Sequence, residues 1–403
     1  MAESILSADT GLDAVRALYD WGTYQRATEP VIFDAGSGAW HVFSFEEAER
    51  VFTDRKIFSS EFPREVSVND DLIEGNLALT DPPRHTELRG LVSKRFTARA
   101  ITELRDEIDT IITGLLDNLS GDTGIDFVDE FSYRLPASVI AHVLGLPRAD
   151  VPLFKRWSFA QLSEQRTQAV EAEGQHDVAR SVLAEMREYF AEQVRDRRAN
   201  PRDDLITALA HAEIHGVRLS DEELIGFLRL LLTGGDMTTC SLITSAVLCF
   251  DGRAGLLDRL REDPGLIPAA VEEVARYRPP FARVARWTTA ETELGGVRVP
   301  AGQVVLPWLT SANRDERKFA DAEEFRVDRH PNPHLSFGRG VHFCLGVHLS
   351  KLEAQRALAQ LAARFEDIAV RTDEPLRHFD PAGGVLALAA LPVDFRARSS
   401  SRP

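Results

Sequence analysis

Phe337-Gly-Arg-Gly340-Val-His342-Phe-Cys344-Leu-Gly346 runs straight into an amphipathic stretch, 347–365, with Leu352, Leu358, Leu361 and Phe365 at helical spacing. Three of its ten residues, Gly338, Gly340 and Gly346, permit tight or positive-φ turns and let backbone come close to a flat ligand. Cys344 stands just ahead of the helix, where the helix dipole and unpaired N–H groups favour a thiolate. Sheltered by Phe337 and Phe343, with amides pointed at sulfur, such a thiolate has what an axial iron ligand needs.

Plainer readings stand beside that one. A lone cysteine is commonly a buried structural residue. His342, Cys344 and His348 are spaced two and four apart and invite a zinc reading, but no second thiol lies nearby and a glycine-rich loop needs no clip. No Lys-Ser or Lys-Thr follows the glycines, so this is not a phosphate loop.

Outward from the loop, helical periodicity dominates. Stripes of apolar residues predict helices over 101–119 and 178–197, and Ser220-x-x-Glu223 opens a third over 221–250. Shorter strand signals lie at 31–34, 39–44, 283–289 and 303–308, with a Gly-rich turn at 295–296. Residues 309–343 lack periodicity and read as a long, functional connection. With no repeat, low-complexity tract or linker, the chain reads as one mainly α domain with minor β over 1–403, residues 1–20 being an N-terminal extension.

Composition narrows the function. The 403 residues suffice for a core without disulfide staples, and three cysteines make no disulfide framework. A formal net charge of -16 disfavours non-specific binding to nucleic acid or anionic lipid, though a local basic patch could dock an acidic protein. The N-terminus lacks a basic segment leading into an apolar core, and no run of 18 apolar residues occurs, so the expectation is a cytoplasmic protein with no membrane span.

Three further constellations stand out. Glu273 and Arg276 lie one helical turn apart, a pair that on a solvated helix is worth only tenths of a kcal/mol. His85 and Arg89, following Asp81-Pro-Pro, share one helix face and suit a carboxylate or phosphate, although a solvated face explains them equally. Gly234-Gly235-Asp236-Met237-Thr238-Thr239 interrupts a strong helical pattern with two glycines, each costing about 1 kcal/mol relative to alanine. A local rule broken inside a strong helix marks a candidate functional site, with a packing kink as the alternative.

The loop resembles the haem-binding signature F-x-x-G-x-x-x-C-x-G of the cytochrome P450 family, including the frequent bacterial form F-G-x-G-x-H-x-C-L-G. The other segments fall in family order: D-P-P-x-H-x-x-x-R at 81–89, the distal motif at 234–239, E-x-x-R at 273–276 and the 311–315 segment before the meander. The resemblance implies the family's single triangular, mostly α domain with haem b (iron protoporphyrin IX) between the 234–239 helix and the 337–346 loop. It implies that Cys344 is the proximal thiolate and metal ligand, that His85, Arg89, Arg286 and His342 reach the haem propionates, and that Phe337, Gly338 and Gly346 shape the cradle. Glu273, Arg276 and Arg329 would form a buried charge network holding that loop, costly to break because it strands a charge.

Gly235, Asp236, Thr238 and Thr239 would then belong to the oxygen-activating site. Here the sequence departs from the family. The usual acidic position is Met237, and the nearest carboxylate, Asp236, is one residue early, which turns its side chain by about 100°. Unless a kink re-aims it, Asp236 is not a substitute, and Met237 reads as a pocket or packing residue.

The chemistry implied is that of a monooxygenase inserting one atom of O2 into an unactivated C–H bond of an apolar steroid, terpenoid or macrolide-like substrate. Electrons would come from a ferredoxin and an NAD(P)H-dependent ferredoxin reductase, docked on a basic patch including Arg339 and Lys94 or Arg95. The resemblance also implies a monomer. Pocket walls are expected from parts of 60–80, 155–175, 227–239, 281–287 and 383–387. A peroxygenase, a C–C coupling enzyme and a non-catalytic haem-binding sensor are the competing functions.

Overall fold

The computed structural model describes residues 12–63, 74–119, 124–167, 175–253, 255–371, 376, 378 and 384–398. In chain order its helices are α1 (Leu12–Thr28), α2 (Phe45–Thr53), α3 (Arg84–Val92), α4 (Ala98–Thr102), α5 (Arg105–Asn118), α6 (Arg134–Leu144) and α7 (Val151–Thr167). They continue with α8 (Gln175–Ala199), α9 (Leu205–Ala210), α10 (Asp221–Phe250), α11 (Leu256–Glu262), α12 (Ile267–Tyr277), α13 (Leu309–Ala312) and α14 (Val347–Arg364).

The minor β part includes β1 (Val31–Asp34), β2 (Ala39–Val42), β3 (Phe58–Ser59), β4 (Ile125–Asp126), β5 (Glu213–Ile214), β6 (Val217–Arg218), β7 (Arg286–Thr288), β8 (Thr292–Leu294), β9 (Val297–Val299) and β10 (Val304–Pro307). One sheet has the order β1-β2-β10-β7-β3, with β10 parallel to β2 and antiparallel to β7. It carries Arg286 at the start of β7. A further sheet joins β11 (Phe365–Val370), β12 (Pro392–Ala397) and β4.

Helix α10 is the axis of the molecule. Its 30 residues span about 45 Å, and residues on every side of it are buried, as for a helix enclosed by others. α6, α8, α12 and α14 all pack against it. The capping box predicted at its start is present: Glu223 N–H donates to Ser220 Oγ and Ser220 N–H to Glu223 Oε2, both at 3.1 Å.

The helix expected over 221–250 is present as Asp221–Phe250 and runs through Gly234-Gly235. Gly235 serves close packing, since a Cβ there would meet Ile140 of α6 at 3.1 Å. Other expectations need correction. The stripe over 101–119 is two helices, because Leu104 N–H bonds back three residues to the Ile101 carbonyl and tightens the turn between them. The strand expected over 283–289 shrinks to β7. Upstream of it the chain switches partners, Phe281 bridging to Val385 and Arg283 to Trp308. Val15, Leu18 and Trp21 bury one face of α1, with Trp21 edge-on to Phe43 and Trp308; residues 1–11 of the expected N-terminal extension lie outside the described residues.

Candidate functional site

The 337–346 loop lies between α2, α3 and the start of α14. Gly338 and Gly340 take positive φ of 69° and 67°, as the sequence suggests, and a Cβ on Gly340 would meet the Phe52 carbonyl oxygen at 2.8 Å. Gly346 differs, with an ordinary φ of -84° as N-cap of α14. Its use is spatial. A Cβ there would meet nothing within 4 Å, and its N–H points at the Cys344 sulfur.

Cys344 N–H donates to the Phe337 carbonyl at 2.9 Å, closing the loop. Burial pushes the thiol up, and the Gly346 N–H, Arg89 and Lys351 pull it back only in part. Phe337 is clamped from behind by Lys351, 4.9 Å from its ring centre, and by buried His334. His348 sits on the exposed side of α14.

His85, Arg89, Arg286 and His342 are the residues to test for a carboxylate-bearing group. His85 is buried with neither ring nitrogen hydrogen-bonded, its ring centre 4.4 Å from that of His342. Burial, with the fields of His342 and Arg89, lowers its pKa to about 4, so it is neutral near pH 7. Burial likewise lowers Arg286 to about 10, although Asp81 opposes it. Arg286 donates to its neighbour's Ala285 carbonyl and Arg89 to the Val341 carbonyl, and among the described residues neither has a salt-bridge partner. Two desolvated guanidinium groups and an orphaned imidazole form a donor set short of acceptors, which fits the two propionates of a haem.

Asp81, quoted in the motif but given no role there, organises this cluster. His342 Nε2 lies 3.2 Å from its Oδ1, Ser59 Oγ donates to its Oδ2 at 2.5 Å and the Ser60 N–H to Oδ1 at 3.2 Å. Burial alone would raise its pKa; those hydrogen bonds win and hold it at about 2.

Behind the loop, Glu273 is fully buried. It accepts from Arg276 Nε and Nη2 at 2.8 Å, from Arg329 Nε at 3.0 Å, from the Arg326 N–H at 2.9 Å and from Asn332 Nδ2 at 3.1 Å. The guanidinium groups spend their other donors on the carbonyls of Asn313, Ala320, Asp321, Ala322 and Glu324. Asn313 then reaches the loop, accepting from Leu335 N–H and donating to Ser336 Oγ, both at 2.8 Å. The three residues predicted to form a network thus hold the meander and, through Asn313, the cysteine loop.

On α10, half-buried Thr238 donates to the Gly234 carbonyl one turn back at 2.7 Å. Met237 is buried in the main core and is a packing residue, not a pocket one. Thr239 is buried as well. Asp236 is not re-aimed toward Thr238. Its fully buried carboxylate accepts from Tyr133 Oη at 3.0 Å, from Ser158 Oγ at 2.6 Å and from the Met237 N–H. Neither Tyr133 nor Ser158 carries a local sequence signal.

Of the expected pocket walls, 64–73, 168–174 and 383 lie outside the described residues. Ala282 is buried and Val284 packs on the core around β1 and α2. Among the described residues, no helix is long and apolar enough to cross a membrane.

The family model described as Cytochrome P450 matches residues 259–393. Erythromycin C-12 hydroxylase of Saccharopolyspora erythraea is 40% identical over 386 residues, 95% of this chain and 96% of its own length. Cyclomarin C epoxidase of Salinispora arenicola is 37% identical, covering 96% and 98%. Among solved structures, the open P450 EryK from S. erythraea superposes with a TM-score of 0.87 at 38% identity over 98% of this chain and 100% of that one. CYP109E1 from Bacillus megaterium, in complex with testosterone, gives 0.86 at 34% identity over 93% and 97%.

Proposed function

The chain belongs to the cytochrome P450 family of monooxygenases, with that family's mainly helical triangular fold, and we propose that it inserts one atom of O2 into a C–H bond of a medium-sized or large apolar natural product. Family membership implies a haem cofactor. The observation that carries the reading is the convergence of Cys344 with a partly buried donor set short of acceptors. Cys344 would hold the iron, and Arg89, Arg286, His85 and His342 would bind the propionates, with Asp81 fixing the His342 ring.

Bound there, haem supplies reductive activation of dioxygen and the oxidising power to break a C–H bond. The protein does the rest. Glu273, Arg276 and Arg329 keep the cysteine loop rigid, and Phe337 shields the sulfur from water. Gly234 leaves the distal face of α10 uncrowded. Thr238 offers a hydroxyl there, the one side-chain donor of the 234–239 motif that is not wholly buried.

A macrolide- or steroid-sized substrate is supported by the relative named for erythromycin and the structure holding testosterone. Electrons would come from a ferredoxin and its NAD(P)H-dependent reductase. Exposed Lys94 and Arg95 suit an acidic partner; Arg339 is engaged by the Pro333 carbonyl and Glu49 and contributes less.

The test is spectroscopic. Reduced protein with carbon monoxide should show the absorbance band of thiolate-ligated haem, and Cys344→Ala should abolish it. Persistence of that band in the variant would sink the assignment. Product formed with ferredoxin, reductase and NADH, but not with peroxide alone, separates a monooxygenase from a peroxygenase.

A further inference from the structure

Asp236, Cys240 and Thr244 recur every fourth residue and therefore share one face of α10. That face meets a short π-helical turn, Val128–Ser132, and the middle of α7. Ser132 Oγ lies 2.8 Å from Thr244 Oγ1 and 3.5 Å from Cys240 Sγ. One residue on, Tyr133 reaches Asp236, and Ser158 of α7 reaches the same carboxylate oxygen. All six side chains are buried within the main core.

A polar seam of this kind tolerates one register. Sliding or rotating α10 would leave hydroxyls and a carboxylate without partners in an apolar core, each at the full cost of desolvation. The close packing of Ile140 against Gly235 favours the same register. Thr238 lies two residues beyond Asp236, about 200° around the helix. Fixing the back of α10 at Asp236 therefore fixes the direction of Thr238 on its front.

We propose that Asp236 is a positioning residue for Thr238: the bonds from Tyr133 and Ser158 set the rotation of α10, so that the Thr238 hydroxyl and the Gly234 carbonyl face the haem side. This rests on the monooxygenase reading and explains why a carboxylate sits in the distal motif without facing the reacting centre. Burial raises the Asp236 carboxyl to about 7 against the hydroxyl and amide bonds that lower it. The ionised form accepts from both hydroxyls and from the Met237 N–H; in the neutral form one oxygen becomes a donor, so the two forms present the seam with different bonds. The titratable groups facing it are Tyr133 and Cys240, both held protonated by burial, and Lys155 of α7, 5.7 Å from the Tyr133 ring and paired with Asp129.

Asp236→Asn keeps the shape of the side chain and removes its charge. In the holoenzyme it should raise amide hydrogen exchange across Gly234–Cys240 by about fivefold or more. It should also increase hydrogen peroxide released per NADH and abolish the pH dependence of that ratio around neutrality. Ser158→Ala and Tyr133→Phe, each deleting one hydroxyl, should reproduce part of both effects, and they carry the test if Asp236→Asn fails to fold. Unchanged exchange together with an unchanged pH profile of coupling in all three variants overturns the proposal. A merely structural role would lower the melting temperature and leave that pH profile alone. Exchange needs no turnover, so increased exchange with no product from any variant or parent would count against the monooxygenase reading and in favour of the seam.

Discussion

Glu273 and Asp236 are both completely buried carboxylates, one on α12 behind the cysteine loop and one on α10 where it meets α7, and they are satisfied in opposite ways. Two guanidinium groups face Glu273, and their remaining donors are consumed by a ring of backbone carbonyls. Asp236 is held by two hydroxyls and its neighbour's amide, with no cation bonded to it among the described residues. The proximal arrangement is locked, because removing any member strands a charge. The distal one stays poised near neutrality, as the Asp236 value of about 7 shows.

The contrast breaks first at the hub. Glu273→Ala should cost about 3–5 kcal/mol by leaving two buried guanidinium groups unpaired. Denaturant midpoints and haem content measure it, and a loss below about 1 kcal/mol would mean the hub is no more critical than a surface pair. Arg89→Leu probes the neighbouring donor set and should weaken haem retention by about 1.5–3 kcal/mol. Transfer of haem to an excess acceptor protein gives the rate, and an unchanged rate would remove Arg89 from the propionate set.

The distal carboxylate should show the smallest effect. Its folded pKa lies above the ordinary carboxylate range, so between about pH 4 and 7 the folded state keeps a proton that the unfolded chain has lost. Stability from this group is therefore full below the unfolded value and declines as pH rises through the folded one. Between about pH 6 and 8 the fall is on the order of 1 kcal/mol. It should vanish in Asp236→Asn, as read by urea midpoints across that range.

What could be read from the chain alone follows from distance along it. The α10 capping box, the 337–346 loop and the Glu273–Arg276 pair are patterns within ten residues or within one helix, and the structure contains each. Whether the pair was a solvated ornament or a buried hub depended on Arg329, 53 residues on from Arg276, and was legible only through resemblance. The role of Asp81 has no local signature, because it lies in contacts with Ser59 and His342, 22 and 261 residues away. Tyr133 and Ser158 were invisible: a tyrosine after a π-helical turn and a mid-helix serine have no local signature, and both meet Asp236 across long separations. The glycine pair misled for a related reason. Helix propensity charged for Gly234 and Gly235, while the close approach of α6 that rewards Gly235 lies a hundred residues upstream.

The same separations order the assembly of the molecule. Every bond to Glu273 spans between 3 and 59 residues, within one continuous stretch. The seam on α10 joins residues 78 to 112 apart, yet all of them precede residue 245. Loop closure at these lengths grows costlier only slowly, so chain entropy does not force one to wait for the other. On a chain made from its N-terminus, the distal wall has all its partners before the first residue of the hub exists, and Cys344 arrives after both. A chain ending short of residue 337 would keep every group of the seam and the hub and lack both Cys344 and the helix α14 that packs on α10 and α12.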